Sequence, residues 1–158
     1  MWPGPVERVA AYLRAGAVDA TVEEFPEGTT TVAAAATALG CDPSLIVKSL
    51  VFYCEGEAVL ALVPGDRRCD EDKVAAVAGT HEARLADAEE VLNATGFEPG
   101  AVAPFPQRAI ALTLVDRLVL RHERVWVGGG SRLHMVGLSP ADLARLTQAQ
   151  TADITAPR

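Results

Sequence analysis

Lysine is nearly absent from this chain of 158 residues: two Lys stand against twelve Arg. Cysteine is scarce as well. Cys41, Cys54 and Cys69 are odd in number and show no C-x-x-C spacing, which argues against a disulfide framework and suits a reducing cytosol. No apolar run reaches the length of a membrane span. The opening Met1-Trp2-Pro3-Gly4-Pro5 has no basic region leading into a long apolar stretch, so no signal peptide is predicted and the expected location is cytoplasmic. Basic charge is in deficit too, with a net charge of −7. A protein that grips nucleic acid by itself usually has a basic face, so any such contact here is expected to be local, weak and salt-sensitive.

The common signatures of catalysis are also missing. There is no Gly-x-Ser-x-Gly elbow and no Walker-type phosphate loop. His81, His122 and His134 lack metal-ligand spacing with the cysteines, so neither metal nor cofactor is expected. Gly128-Gly129-Gly130 precedes a strand rather than a helix, unlike a dinucleotide fingerprint; it reads as a close backbone approach or a plain hairpin turn. Cys54 lies beside Glu55, which disfavours a thiolate, and Cys69 is only slightly better placed ahead of a helix, so neither is expected to act as a nucleophile.

What is present describes an ordinary globular domain. Hydrophobic residues make up 49% and charged residues 22%, and one domain over residues 1–158 is the natural reading. Helical spacing is read over about 5–15, 31–39, 70–77, 87–94 and 139–147, with Asp87 and Ser139 among the starts and Gly40 and Gly79 among the stops. Alternation or β-rich runs mark strands at 21–25, 47–54, 58–63, 81–85, 109–115, 125–128 and 133–136. Glu55-Gly56-Glu57 between two of them is a hairpin signal. The expected fold is therefore α/β (α+β), with a mixed, strongly curved or barrel-like sheet of six or seven strands and helices outside it. The segment from Thr95 to Pro106, with two glycines and three prolines, forbids a regular element; an apolar loop of that length is usually functional.

Lys48 stands out within the run Leu45-Ile46-Val47-Lys48-Ser49-Leu50-Val51-Phe52. Burying a cation costs hydration and pushes a lysine towards its neutral form. Such a residue either snorkels into water at a strand end or is held in a pocket for a purpose. Two groups of arginine accompany it: Arg67 with Arg68, and Arg117, Arg121, Arg124 and Arg132 with His122 and His134 among them. Singly these are surface residues; gathered near a site they suit phosphates.

The order of these features resembles one family. Val47-Lys48-Ser49-Leu50, the loop Thr95-Gly96-Phe97-Glu98-Pro99-Gly100 running on to Pro104, the strand ending in Asp116, and Val127-Gly128-Gly129-Gly130 before a Ser139-Pro140-Ala141-Asp142-Leu143 helix look like the YbaK family. These are the stand-alone relatives of the editing domain of bacterial prolyl-tRNA synthetases. The resemblance covers about residues 5–154.

It implies hydrolysis of the ester that joins a wrong, small amino acid (Ala, Ser, Thr or Cys) to a tRNA 3′ end, with tRNA for proline the expected carrier. The implied partners are the tRNA acceptor end, held transiently, and prolyl-tRNA synthetase; no membrane is involved. The family lysine matches Lys48 and the family loop matches Gly96 to Gly100. A catalytic set of Lys48, Gly100 and Ala101 follows, the loop amides polarising the ester carbonyl. Phe25, Val47 and Val102 are expected to wall a small pocket. Ser49, Gly96, Asp116, Gly128, Gly129, Gly130, Ser131 and His134 complete the substrate-binding set, with His134 a candidate selector of small or hydroxylated side chains. Ser49 replaces the threonine common after the lysine in the cysteine-removing branch, and Gly100-Ala101 replaces its Gly-Gly pair. The alternative from another class is a non-catalytic binding module of the same fold, a synthetase partner or ligand sensor.

Overall fold

The computed structural model describes residues 2–157. Helix α1 (Gly4–Gly16) buries Val6, Val9, Ala10 and Leu13 at helical spacing. Strand β1 (Thr21–Glu24) follows, then α2 (Val32–Leu39), capped by the Thr31 hydroxyl, which accepts from Ala34 N–H at 3.0 Å. A 3₁₀ turn over Pro43–Leu45 leads into β2 (Val47–Cys54) and β3 (Glu57–Pro64). Glu55 (φ 50°) and Gly56 (φ 87°) join these two through a two-residue turn with both φ positive, the geometry that matches strand twist.

The second half alternates more loosely. Helices α3 (Glu71–Ala78) and α4 (Ala88–Thr95) flank the two-residue strand β4 (Arg84–Leu85). Asp87 and Glu90 close a reciprocal cap on α4. After the long loop come β5 (Leu112–Asp116), β6 (Val125–Gly128), β7 (His134–Leu138), α5 (Pro140–Thr147) and β8 (Gln150–Ala152).

The strands form two sheets, in the orders β1-β7-β6 and β4-β2-β3-β5-β8. This corrects the expectation of one barrel-like sheet of six or seven strands. The class is α/β with mixed pairing, β3-β5 and β5-β8 being parallel. The sheets do not close, however, and an eighth strand lies beyond the seven read from sequence. Ala-Gln-Thr-Ala after α5 carries no β-rich pattern; it pairs because β5 offers a free edge there.

Period two in β2 and β3 separates two cores. Val47, Val51, Leu60 and Leu62 face Val125, Val127, Val136 and Leu138 of the smaller sheet. Phe52, Val59, Ala61 and Val63 face α3 and Ile154 on the other side. With both faces covered, β3 reads as an unbroken apolar run. The long loop is a third wall, since Phe97, Ala103 and Phe105 are buried in the inter-sheet core and Phe105 stacks on Tyr12 at 5.8 Å. No helix among the described residues is long and apolar enough to cross a membrane.

Candidate active site

A cleft of about 350 Å³ opens where the two sheets diverge. Residues Thr29–Val32, ahead of and entering α2, form one wall, and Ile46 with Val47–Leu50 of β2 form the floor. Gly100 and Val102 of the long loop, Gly128 at the end of β6 and Met135 of β7 close it. Among the described residues, Lys48 supplies the only ionisable side chain in this lining, and no carboxylate, imidazole or thiol shares it.

The backbone of β2 runs along the cleft. Gly65 N–H donates to Ile46 O at 2.6 Å, and the alternation of an antiparallel ladder then turns the amides of Val47, Ser49 and Val51 away from β3. Val51 O is taken by Ala86 N–H (2.9 Å), while β4 covers only Phe52 and Tyr53. The Ser49 main chain thus lies on the stretch of this edge that β4 does not cover, among the residues lining the cleft. The Ser49 side-chain hydroxyl, by contrast, is buried beneath and has no hydrogen-bond partner.

Lys48 points to the opposite face of β2, and its ammonium donates to the Arg67 carbonyl at 2.5 Å. One N–H is thereby used and two remain. Burial lowers the Lys48 pKa, opposed by the neighbouring Cys69 and Asp66. Cys69 responds in the other sense: burial pushes its thiol up to about 11, against the pull of Lys48. A thiol so raised is a poor nucleophile.

The loop over the cleft has a definite geometry. Ala101 N–H donates to Glu98 O at 2.9 Å across Pro99-Gly100, and Gly100 has φ 84°. Proline then a left-handed glycine defines a type II turn. The Ala101 amide is thus engaged with Glu98, and Ala101 is buried and is not among the residues lining the cleft. Gly128 lies so close to the Val102 carbonyl that a Cβ would collide with it. This is the close-approach reading of the glycine run.

The other expected residues are dispersed. Phe25 packs with Ala35, Ala36, Ile46 and Met135, behind the wall. Gly96 ends α4 with φ 81° under the Arg108 guanidinium. Gly129 N–H donates to His134 O, and Gly130 lies against Pro5 O and Phe97. Asp116 is fully buried; its carboxylate accepts from Leu118 N–H (3.0 Å) and Ile154 N–H (2.9 Å), tying the end of β5 to the chain's last segment. His134 is buried with Nδ1 on the Ser131 hydroxyl at 2.5 Å, edge-on to Trp2, and Nε2 3.7 Å from Glu24. Period two puts the next residue, Met135, on the cleft face instead.

Sequence reading missed Thr29, Thr30, Thr31, Val32, Ile46, Leu50 and Met135. The run Thr29-Thr30-Thr31 was the one available signal. Among the described residues no group of three or more His, Cys, Asp or Glu could hold a metal ion.

Comparison with known proteins agrees with this architecture. The family model of the aminoacyl-tRNA editing domain matches residues 26–146. The chain belongs to the aminoacyl-tRNA editing domain family, the YbaK-like group to which prolyl-tRNA synthetase insertion domains are related. It is 35% identical over 127 residues to the uncharacterized protein YwhH of Bacillus subtilis (strain 168), covering 80% of each chain. It is 38% identical over 115 residues to the proline–tRNA ligase of Moorella thermoacetica, which is 72% of this chain but 20% of the ligase, so it spans only a small part of such enzymes. It also superposes with a TM-score of 0.91 and 34% identity on a crystal structure of a protein put forward as a trans-editing enzyme for prolyl tRNA synthetase, covering 99% of this chain and 100% of the other.

Proposed function

We propose that the protein is a trans-editing aminoacyl-tRNA deacylase that hydrolyses the ester of mischarged tRNA carrying a small amino acid, on tRNA for proline. The observation that carries this reading is a cleft lined, among the described residues, by one cation and several hydroxyls, with no carboxylate, imidazole or thiol. An aminoacyl ester is an activated acyl group, so positioning and modest charge stabilisation suffice. The attacking oxygen comes from water or a ribose hydroxyl, with no covalent enzyme intermediate.

Three groups divide the work. Lys48 holds the terminal ribose or phosphate as a point charge with its two remaining N–H donors. Main-chain amides at the cleft, that of Ser49 and those of the Gly100–Val102 loop other than Ala101, offer donors to the ester carbonyl. Val47, Ile46, Val102 and Met135 restrict the acyl end by size, the logic of a second sieve. The partner implied is the tRNA acceptor end, met transiently, with prolyl-tRNA synthetase supplying the mischarged product in the cytoplasm. Neither metal nor cofactor is required.

The test is a deacylation panel. tRNA for proline is charged separately with Ala, Cys, Ser, Thr and Pro and mixed with the protein or with Lys48→Ala. Release of one or two small residues with Pro spared, and a folded but inactive variant, is the expected result. A folded wild-type protein that releases none of them from any tRNA tried fits a non-catalytic binding module. Undiminished turnover by Lys48→Ala refutes the role given to Lys48.

A further inference from the structure

The geometry points to a path for single-stranded RNA running from Lys48 across Arg67 and Arg68 to Arg121 and His122, which holds the backbone phosphates of the segment leading to the 3′ end. This rests on the editing function just proposed and deepens it by naming where the substrate strand lies.

Two further depressions adjoin the candidate active site, and shared residues make the three continuous. Lys48 and Leu50 line both the first cleft and a second of about 450 Å³, which also takes in Arg67, Arg68 and Glu71. Asp66 and Arg67 in turn line both the second and a third of about 130 Å³, bordered by Ser44, Arg121 and His122. Arg67 and Arg68 thus meet Arg121, about fifty residues away in sequence, at one strip. Lys48, Arg67, Arg68 and Arg121 are four formal cations there against the carboxylates of Asp66 and Glu71. In a chain of net charge −7 that local excess is the exception.

The state of these cations matters more than their number. Arg14, Arg84, Arg117 and Arg145 each sit on a carboxylate. No ion pair within 4 Å among the described residues engages Arg67, Arg68 or Arg121. Guanidinium groups left unneutralised around a concave path suit phosphate oxygens, which they bind through a planar fork. The strip begins at the cleft that receives the acylated end, so the molecule lying along it is the strand attached to that end. An acidic peptide shares the charge but has no such attachment.

The experiment compares two triple variants of equal charge. Arg67→Gln/Arg68→Gln/Arg121→Gln alters the strip while keeping the Arg67 carbonyl that receives Lys48; Arg14→Gln/Arg84→Gln/Arg145→Gln removes paired arginines elsewhere. Binding of a fluorescein-labelled RNA of about eight nucleotides ending in CCA is followed by anisotropy across a salt series. The strip variant is expected to bind about tenfold or more weakly, with the slope of log K against log salt reduced by about 2, about 0.7 per lost contact. The control triple is expected to behave as wild type. Equal losses in both triples, an unchanged slope in the strip variant, or displacement of the RNA by a glutamate oligopeptide at equal charge concentration would overturn the proposal.

Kinetics separates this from the function itself. With mischarged tRNA the strip variant should show a raised KM and unaltered kcat, while hydrolysis of an aminoacyl-adenosine lacking phosphates stays at the wild-type rate. Loss of both substrates alike in a folded strip variant would also count against the path. If wild type binds the RNA through the strip yet hydrolyses no aminoacyl ester, the editing function fails and the path stands.

Discussion

Replacing Gly128 by alanine tests the link between packing and site most directly. Gly128 does not have a positive φ, so alanine brings no backbone strain there. The whole effect must come from contact: an ideal Cβ falls well inside van der Waals distance of the Val102 carbonyl oxygen, with the Val102 carbonyl carbon at 3.0 Å. Both neighbours are main chain, so no side chain can swing aside. Overpacking of this kind costs about 1–3 kcal/mol, and about 2 kcal/mol corresponds to a fall in Tm of about 4–8 °C for a chain of this size. Because Gly128 and Val102 both line the cleft, the relief must come from a wall of the site. We therefore expect Gly128→Ala to melt earlier by thermal scanning and, while still folded at 25 °C, to lose at least about tenfold in kcat for deacylation, as small misplacements do. The useful control is Gly56→Ala, which has open space around it but φ 87°, and which should cost only about 1–2 kcal/mol of backbone strain with activity intact. A Gly128→Ala protein that melts within about 1 °C of wild type and turns over normally would refute the reasoning.

Three further outcomes follow from the same geometry. Ser49→Ala removes a buried, unpartnered hydroxyl and should raise stability by about 1 kcal/mol in urea titrations while leaving deacylation within about threefold; a loss of stability would contradict this. Asp116→Ala orphans the Leu118 and Ile154 amides and should cost about 3 kcal/mol, yet leave turnover per folded molecule unchanged at low temperature. With Cys41 and Cys54 replaced by serine, Cys69 should react with iodoacetamide at pH 8 about a hundredfold more slowly than an ordinary cysteine and with a midpoint near about 11. Its raised pKa makes a stability contribution that is complete below about pH 9 and lost as pH rises through about 11, so alkaline titration of wild type against Cys69→Ala should show the difference closing over that window.

The local elements were legible because their causes are local. Apolar spacing, Thr31, Asp70, Asp87 and Ser139 as caps, and left-handed Gly40 and Gly79 among the stops fix five helices within a residue or two. The hairpin at Glu55-Gly56 is written in its turn chemistry. Lys48 announces itself because a cation in an apolar strand needs a reason. Strand β8 has no such signature: an edge partner, not its own composition, makes it a strand.

The sequence by itself determined which residues form the helices and the strands β1 to β7, the class of the fold, and a lysine that demanded explanation, since propensity, capping and burial cost act over a few residues. The tertiary structure decided that the sheets stay separate and that Met135 rather than His134 looks into the cleft. It decided too that Ala101 spends its amide on Glu98, and that Arg67 and Arg121 meet beside Lys48. Those outcomes depend on register, on which edge of a strand is covered, and on how distant segments pack. No window of the sequence contains that information, because each is settled by residues far apart in the chain competing for the same space.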